Sequence, residues 1–243
     1  MKKLKISLAV ILILAGIGGL MEKSYIAGIL LIAAGAALIY LPKKKAVTAA
    51  AAARPGGVGT RSEITDDHLR VNCPEWVVLD VETTGLDHFE DRIIEIAAVK
   101  YKDGDALDSF VSFVNPGVPI PERITKLTGI TDRDLKKAPA FAVIAPKIRD
   151  FIGDLPVVAH NAAFDVNFLI SECARAGVSI DVKYINTVRM AKWCLPPQKD
   201  YKLDTLISAF GLLDHAQEHR ALSDVEACEN LYMLCRSKKA GKV

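Results

Sequence analysis

Residues 77–86 read VVLDVETTGL, an apolar run that stops at Asp80 and Glu82 and passes into two threonines and a glycine. A carboxylate taken out of water at the end of a buried strand is costly without a partner charge or a metal. Any fold open to this chain must therefore bring compensating groups to that strand end. Side chains at i and i+2 of a strand share a face, so Asp80 and Glu82 project together. Thr83-Thr84-Gly85 then turns the chain sharply, and Gly85 allows a substrate backbone to approach closely. By itself, Asp-x-Glu also describes an ordinary surface pair.

From about Asn72 onward the pattern is that of one compact α/β domain. Strands are expected at 76–82, 92–101, 108–115 and 156–160, with a short fifth near 184–186, and the short early connections suggest an antiparallel start. Helices are expected at about 140–153, 162–176, 187–194, 203–210 and 221–237. Val166, Leu169, Cys173 and Ala176 give the second of these a buried stripe, and Leu222, Val225, Cys228, Tyr232 and Cys235 do so for the last. The architecture this predicts is a mixed five-stranded sheet flanked by helices on both faces.

The N-terminal part is unlike the rest. Residues 6–20 and 25–41 carry no charge and are separated by Met21-Glu22-Lys23-Ser24. A spanning helix needs about 20 apolar residues, roughly 17 at the short end. The second run reaches that length, and the first does so once Leu4 and Met21 are counted. Lysines before the first run and after the second put both ends in the cytoplasm. We therefore expect a two-helix transmembrane hairpin over 1–45, a flexible linker over 46–71 and the folded domain over 72–240. A secretory signal peptide is the rival, but no small-x-small cleavage site precedes the second run.

Charge follows this division. Seven of the 31 basic residues and one of the 29 acids fall in residues 1–45, leaving 24 basic and 28 acidic residues, a net of −4, on the remainder. Broad electrostatic gripping of a long duplex is not expected of such a surface. The five cysteines (73, 173, 194, 228, 235) show no CxxC pair and read as reduced core thiols.

Two further stretches place acids beside apolar elements. In VVAHNAAFDVNFL (157–169) a buried strand meets His160-Asn161 and then a helix with Asp165 in its first turn. An acid there suits the helix dipole, yet Phe164 and Phe168 flank it. In EHRALSDVEACENLY (218–232), His219 and Asp224 are five apart, about 140° around a continuous helix. They can share one site only if His219 sits on the loop before a helix starting near Ala221.

D-x-E-T-T-G-L, H-N-A-x-F-D-x-x-F-L and H-x-A-L-x-D, in this order, resemble the three motifs of the DEDDh 3′–5′ exonucleases. That family includes the proofreading epsilon subunit and the exonuclease domains of bacterial replicative DNA polymerases. The resemblance covers residues 74–236 and includes Asp91-Arg92-Ile93-Ile94-Glu95-Ile96 and Leu127-Thr128-Gly129-Ile130-Thr131. It implies a ribonuclease H-like fold. It also implies that Asp80, Glu82, Asp165 and Asp224 converge on two divalent ions, Mg²⁺ or Mn²⁺, whose hard character suits carboxylate oxygens. By the same resemblance His219 takes the proton from the attacking water. Thr83, Thr84, Gly85, Leu86, Asn161 and Phe164 contact the terminal nucleotide, although turn formation and core packing explain these residues equally well. Asn186-Thr187 stands where the family often has Asp-Thr, a change outside the metal-ligand motifs.

The resemblance implies hydrolysis at DNA or RNA 3′ ends, single-stranded by expectation, with release of nucleoside 5′-monophosphates. With the hairpin, it makes the chain an exonuclease tethered through residues 6–41 to a bacterial cell membrane, its domain in the cytoplasm. No polymerase-docking tail is evident after Lys239. The alternative is a non-catalytic, membrane-anchored module that binds nucleic-acid ends, which would be expected to have lost an acid or the histidine.

Overall fold

The computed structural model of the protein describes residues 59–65, 72–213 and 220–240. Six strands, β1 (Arg61–Glu63), β2 (Glu75–Thr83), β3 (Ile93–Lys102), β4 (Asp105–Phe113), β5 (Val157–Ala159) and β6 (Val182–Asn186), lie in the order β1-β6-β5-β2-β3-β4. β2, β3 and β4 form an antiparallel meander, and β5, β6 and β1 add to its other side in parallel. Seven helices follow the meander: α1 (Glu122–Thr128), α2 (Asp132–Leu135), α3 (Phe141–Ile152), α4 (Ala163–Arg175), α5 (Thr187–Cys194), α6 (Leu203–Phe210) and α7 (Ala221–Ala240).

The pleat of β2 sorts its residues between two cores. Val77, Leu79 and Val81 face one way, with Ile96 and Ala98, and pack under Ile144 and Ile148 of α3 and Val166, Leu169 and Cys173 of α4. Trp76 and Val78 face the other way and meet Met190 of α5, Leu206 of α6 and Val225, Cys228 and Tyr232 of α7. The even-numbered acids Asp80 and Glu82 are thus on the α7 side of the sheet.

The expected mixed sheet with helical cover is present, but it has six strands, not five. The sixth, β1, lies within the stretch read as a flexible linker. Its residues are polar, and it is held by backbone pairing with β6 and by Thr60, whose N–H and hydroxyl both donate to Asp181 Oδ1 at 2.9 and 2.6 Å. α1 and α2 were not expected either; they bury Ile124 and Leu135 against Ile94 in a small third core. Leu222 is 49% exposed, and Ala221 takes its place in the stripe of α7. None of the five cysteines is in a disulfide, and Cys173, Cys228 and Cys235 are buried.

The hairpin expected over 1–45 and most of the linker lie outside the described residues. Among the described residues no helix is long and apolar enough to cross a membrane.

Candidate active site

β5 is short, and its register with β2 ends at Val78–Val158. Beyond that end, the N–H of Val81 donates to Asp165 Oδ1 at 3.3 Å. Asp165 sits in the first turn of α4 and is buried. α7 starts at Ala221, which puts Asp224 in its first turn over the face of β2 that carries Asp80 and Glu82. One carboxylate oxygen from each of Asp80, Glu82 and Asp224 lies within 4.8 Å of the others. The structure thus brings together three of the four acids singled out in the sequence, Asp80, Glu82 and Asp224, with Asp165 beside them and close enough to act on the charge of Asp80.

Their electrostatics reflect that crowding. The carboxyl of Asp80 is pushed well above the ordinary range, first by burial and then by Asp165, Asp224 and Glu82. Glu82 is raised to about 8 by burial, with Asp224, Glu95 and Asp165 adding to it and Arg220 opposing. Asp165 also reaches about 8 through burial, although backbone N–H groups stabilise its anion. Without a countercharge these acids hold protons that isolated carboxylates would have lost. The donor set fits a hard divalent cation: oxygen ligands only, closely spaced, with surplus negative charge.

β3 supplies a residue not singled out from the sequence. Glu95 pairs across the ladder with Glu82 and is buried. It accepts from Arg220 Nη2 at 2.9 Å and Nε at 3.3 Å, and from the N–H of Ala221 at 3.4 Å. The Arg220 guanidinium also lies over the Phe113 ring, 5.3 Å from its centroid. This pair fixes the start of α7 and so the position of Asp224. An acid inside the apolar run IIEIAAV was the available signal. His219 lies outside the described residues; the helix that carries Asp224 starts at Ala221.

The turn after β2 is built by its own side chains. Thr83 donates to the carbonyl of Gly85 at 2.6 Å. Thr84 donates to Asp91 Oδ1 and accepts from the N–H of Arg92, both at 3.0 Å. A Cβ on Gly85 would stand 2.3 Å from Asp91 Oδ2, so this glycine makes room for its own loop. Leu86, 84% exposed, is left projecting. Asn161 is exposed with φ of 57°, a left-handed conformation asparagine tolerates. Phe164 leans on Phe168 with ring centroids 4.8 Å apart.

A sheet of this topology with clustered acids at the end of its central strand defines a metal-dependent hydrolase site. The chain belongs to the exonuclease family: the RNase T exonuclease model matches residues 77–232. It is 42% identical over 161 residues to a PolC-type DNA polymerase III of Caldanaerobacter subterraneus and 41% over 153 residues to that of Clostridium perfringens. These matches cover 65% and 63% of this chain but only 11% and 10% of the polymerases, so the chain spans about a tenth of their length. Among solved structures, exonuclease X in complex with 5′-overhanging duplex DNA is similar at 25% identity and a TM-score of 0.55, over 68% of this chain and 93% of that one. E. coli exonuclease I in complex with a dT13 oligonucleotide shares the fold, at 19% identity and a TM-score of 0.61, over 69% of this chain and 42% of that one.

Proposed function

We propose that this exonuclease works in the 3′–5′ direction on unpaired DNA or RNA ends, using two divalent ions, Mg²⁺ or Mn²⁺, and releases nucleoside 5′-monophosphates. The observation that carries the reading is the convergence of Asp80, Glu82 and Asp224, with Asp165 beside them, at the end of β2. When bound, the ions supply Lewis-acid stabilisation of the charge that develops on the phosphodiester. The four carboxylates hold and orient them. His219, two residues ahead of α7, takes the proton of the attacking water, a role suited to an imidazole that is neutral near pH 7. Leu86 meets the terminal base, while the backbone of Thr83-Thr84-Gly85 faces the 3′-hydroxyl and Asn161 and Phe164 complete that pocket. The charge-free runs at 6–20 and 25–41, flanked by lysines, support attachment to the membrane as a hairpin, with the domain in the cytoplasm.

The full-length protein in detergent, given Mg²⁺ or Mn²⁺ and 5′-labelled single-stranded DNA or RNA, is expected to produce a ladder that shortens from the 3′ end. Asp80→Ala should abolish it. Immediate release of the labelled 5′ nucleotide would reverse the direction, and degradation unaffected by EDTA would remove the metals. Protease protection in inverted against right-side-out vesicles tests the topology.

A further inference from the structure

Beside the acid cluster, on the side where β5 runs into α4, lies an open cleft of about 570 Å³. Its walls are the His160–Asn161 turn, Val188 and Lys192 of α5, and the segment from Asp200 to Leu203. The volume falls within the ~300–1,000 Å³ typical of small-ligand clefts, room for a nucleotide and not for a duplex. Asn161 belongs to both places: it lines this cleft, and it stands four residues before Asp165.

The walls are fixed by side-chain bonds. His160 joins them, with Nε2 2.9 Å from the carbonyl of Tyr201 and Nδ1 2.9 Å from the Thr187 hydroxyl. The carbonyl can only accept, so Nε2 carries a proton. Asp200, the one acid among the described residues of the walls, accepts at Oδ1 from the N–H of Lys202 at 3.1 Å and from the Thr205 hydroxyl at 2.6 Å, closing the turn before α6. Lys192 and Lys202 are exposed, and the Lys192 ammonium sits over the Tyr201 ring, 5.5 Å from its centroid. A two-lysine, one-acid lining, where residues 46–243 together carry a net charge of −4, is a local reversal of sign.

We propose that this cleft is a strand-holding subsite: Lys192 and Lys202 grip a backbone phosphate of the unpaired strand upstream of the scissile bond, and Tyr201 orients Lys192 for the contact. The inference rests on the exonuclease reading above and adds to it where the rest of the substrate lies. A phosphate grip carries no sequence information, so the subsite holds any unpaired strand and is sensitive to salt. It also gives an acidic domain a place at which to hold a polyanion.

The test compares full-length protein with a Lys192→Ala/Lys202→Ala double variant and with Tyr201→Leu. Two substrates are used: fluorescein-labelled (dT)12, and the p-nitrophenyl ester of thymidine 5′-monophosphate, which has no upstream strand. The double variant should raise KM for (dT)12 about tenfold with kcat within about twofold, and leave the ester kinetics unchanged. Losing the grip on that one phosphate should reduce the slope of log binding constant against log salt by about 0.7, read by anisotropy in EDTA. Tyr201→Leu should show a smaller change of the same kind. Unchanged (dT)12 binding, or equal losses on both substrates, overturns the subsite. So does a heptaglutamate peptide that competes as well as (dT)12, which would make the cleft a site for acidic peptides. Ester hydrolysis with lysine-independent (dT)12 binding removes the cleft and keeps the exonuclease; lysine-dependent binding with no hydrolysis of either substrate does the reverse.

Discussion

Asp165 shows how much one carboxyl can weigh on this fold. Its folded-state value of about 8 exceeds that of a carboxyl in an unfolded chain, near 4. Between those values the folded protein holds a proton that the unfolded chain has released, so stability falls as pH rises through the window and stays low above it. Asn keeps an acceptor for the N–H of Val81 and cannot ionise. In EDTA at pH 8.5, Asp165→Asn is therefore expected to be more stable than the parent by on the order of 5 kcal/mol, about 1.4 for each pH unit of the window, the difference vanishing below about pH 4. Urea unfolding across that range checks it, and parallel profiles would show that Asp165 is not the titrating group. Added Mn²⁺ should reverse the order by stabilising the parent more, and the variant should be inactive. Glu95 is buried beside a countercharge, the Arg220 guanidinium. Glu95→Ala leaves the Arg220 guanidinium and the N–H of Ala221 without their acceptor and should cost about 2–3 kcal/mol. Glu95→Gln, which keeps the acceptor, should recover part of that loss and more of kcat than Glu95→Ala.

Among the elements, the turn between β2 and β3 is the most tightly specified. Asp91 accepts from the Thr84 hydroxyl and from the N–H of Asp87, while Arg175 of α4 donates to the carbonyls of His88 and Phe89 at 2.7 Å. Gly85→Ala drives a methyl into the Asp91 carboxylate. It should cost about 1–3 kcal/mol in a thermal melt and raise KM for an oligonucleotide, since Leu86 moves with the turn. An unchanged melt would mean the loop has slack. Elements with a strong apolar period were legible in the sequence: α4, α5 and α6 lie within a residue of expectation, and β2 gained one residue at each end. What escaped was short or polar. α2 is four residues long, and its reciprocal Thr131–Asp134 capping box was the sign available. The acids of the site were legible because each interrupts an apolar run. Their distances from one another were not, because they depend on where β5 stops and how Glu95 holds α7.

For the molecule as a whole, the two cores meet through β2, and the clustered acids sit where that shared strand has lost its β5 neighbour and keeps only β3. One end of the sheet is finished by β1. The N–H of Ile64 reaches the carbonyl of Tyr184 at 2.7 Å, and the N–H of Val182 reaches that of Thr60 at 2.9 Å. Gly59 passes so close that a Cβ there would stand 2.0 Å from the carbonyl oxygen of Ile180. These contacts make β6 an interior strand. A fragment beginning at residue 64 would strip the cover away and leave β6 as a bare rim, with Val182, Tyr184 and Ile185 along it. Unpaired edges of this kind recruit strands from other copies. Such a fragment should self-associate as its concentration rises in size-exclusion chromatography, while one beginning before Gly59 stays monodisperse. The few polar residues of β1 therefore act as a guard against aggregation.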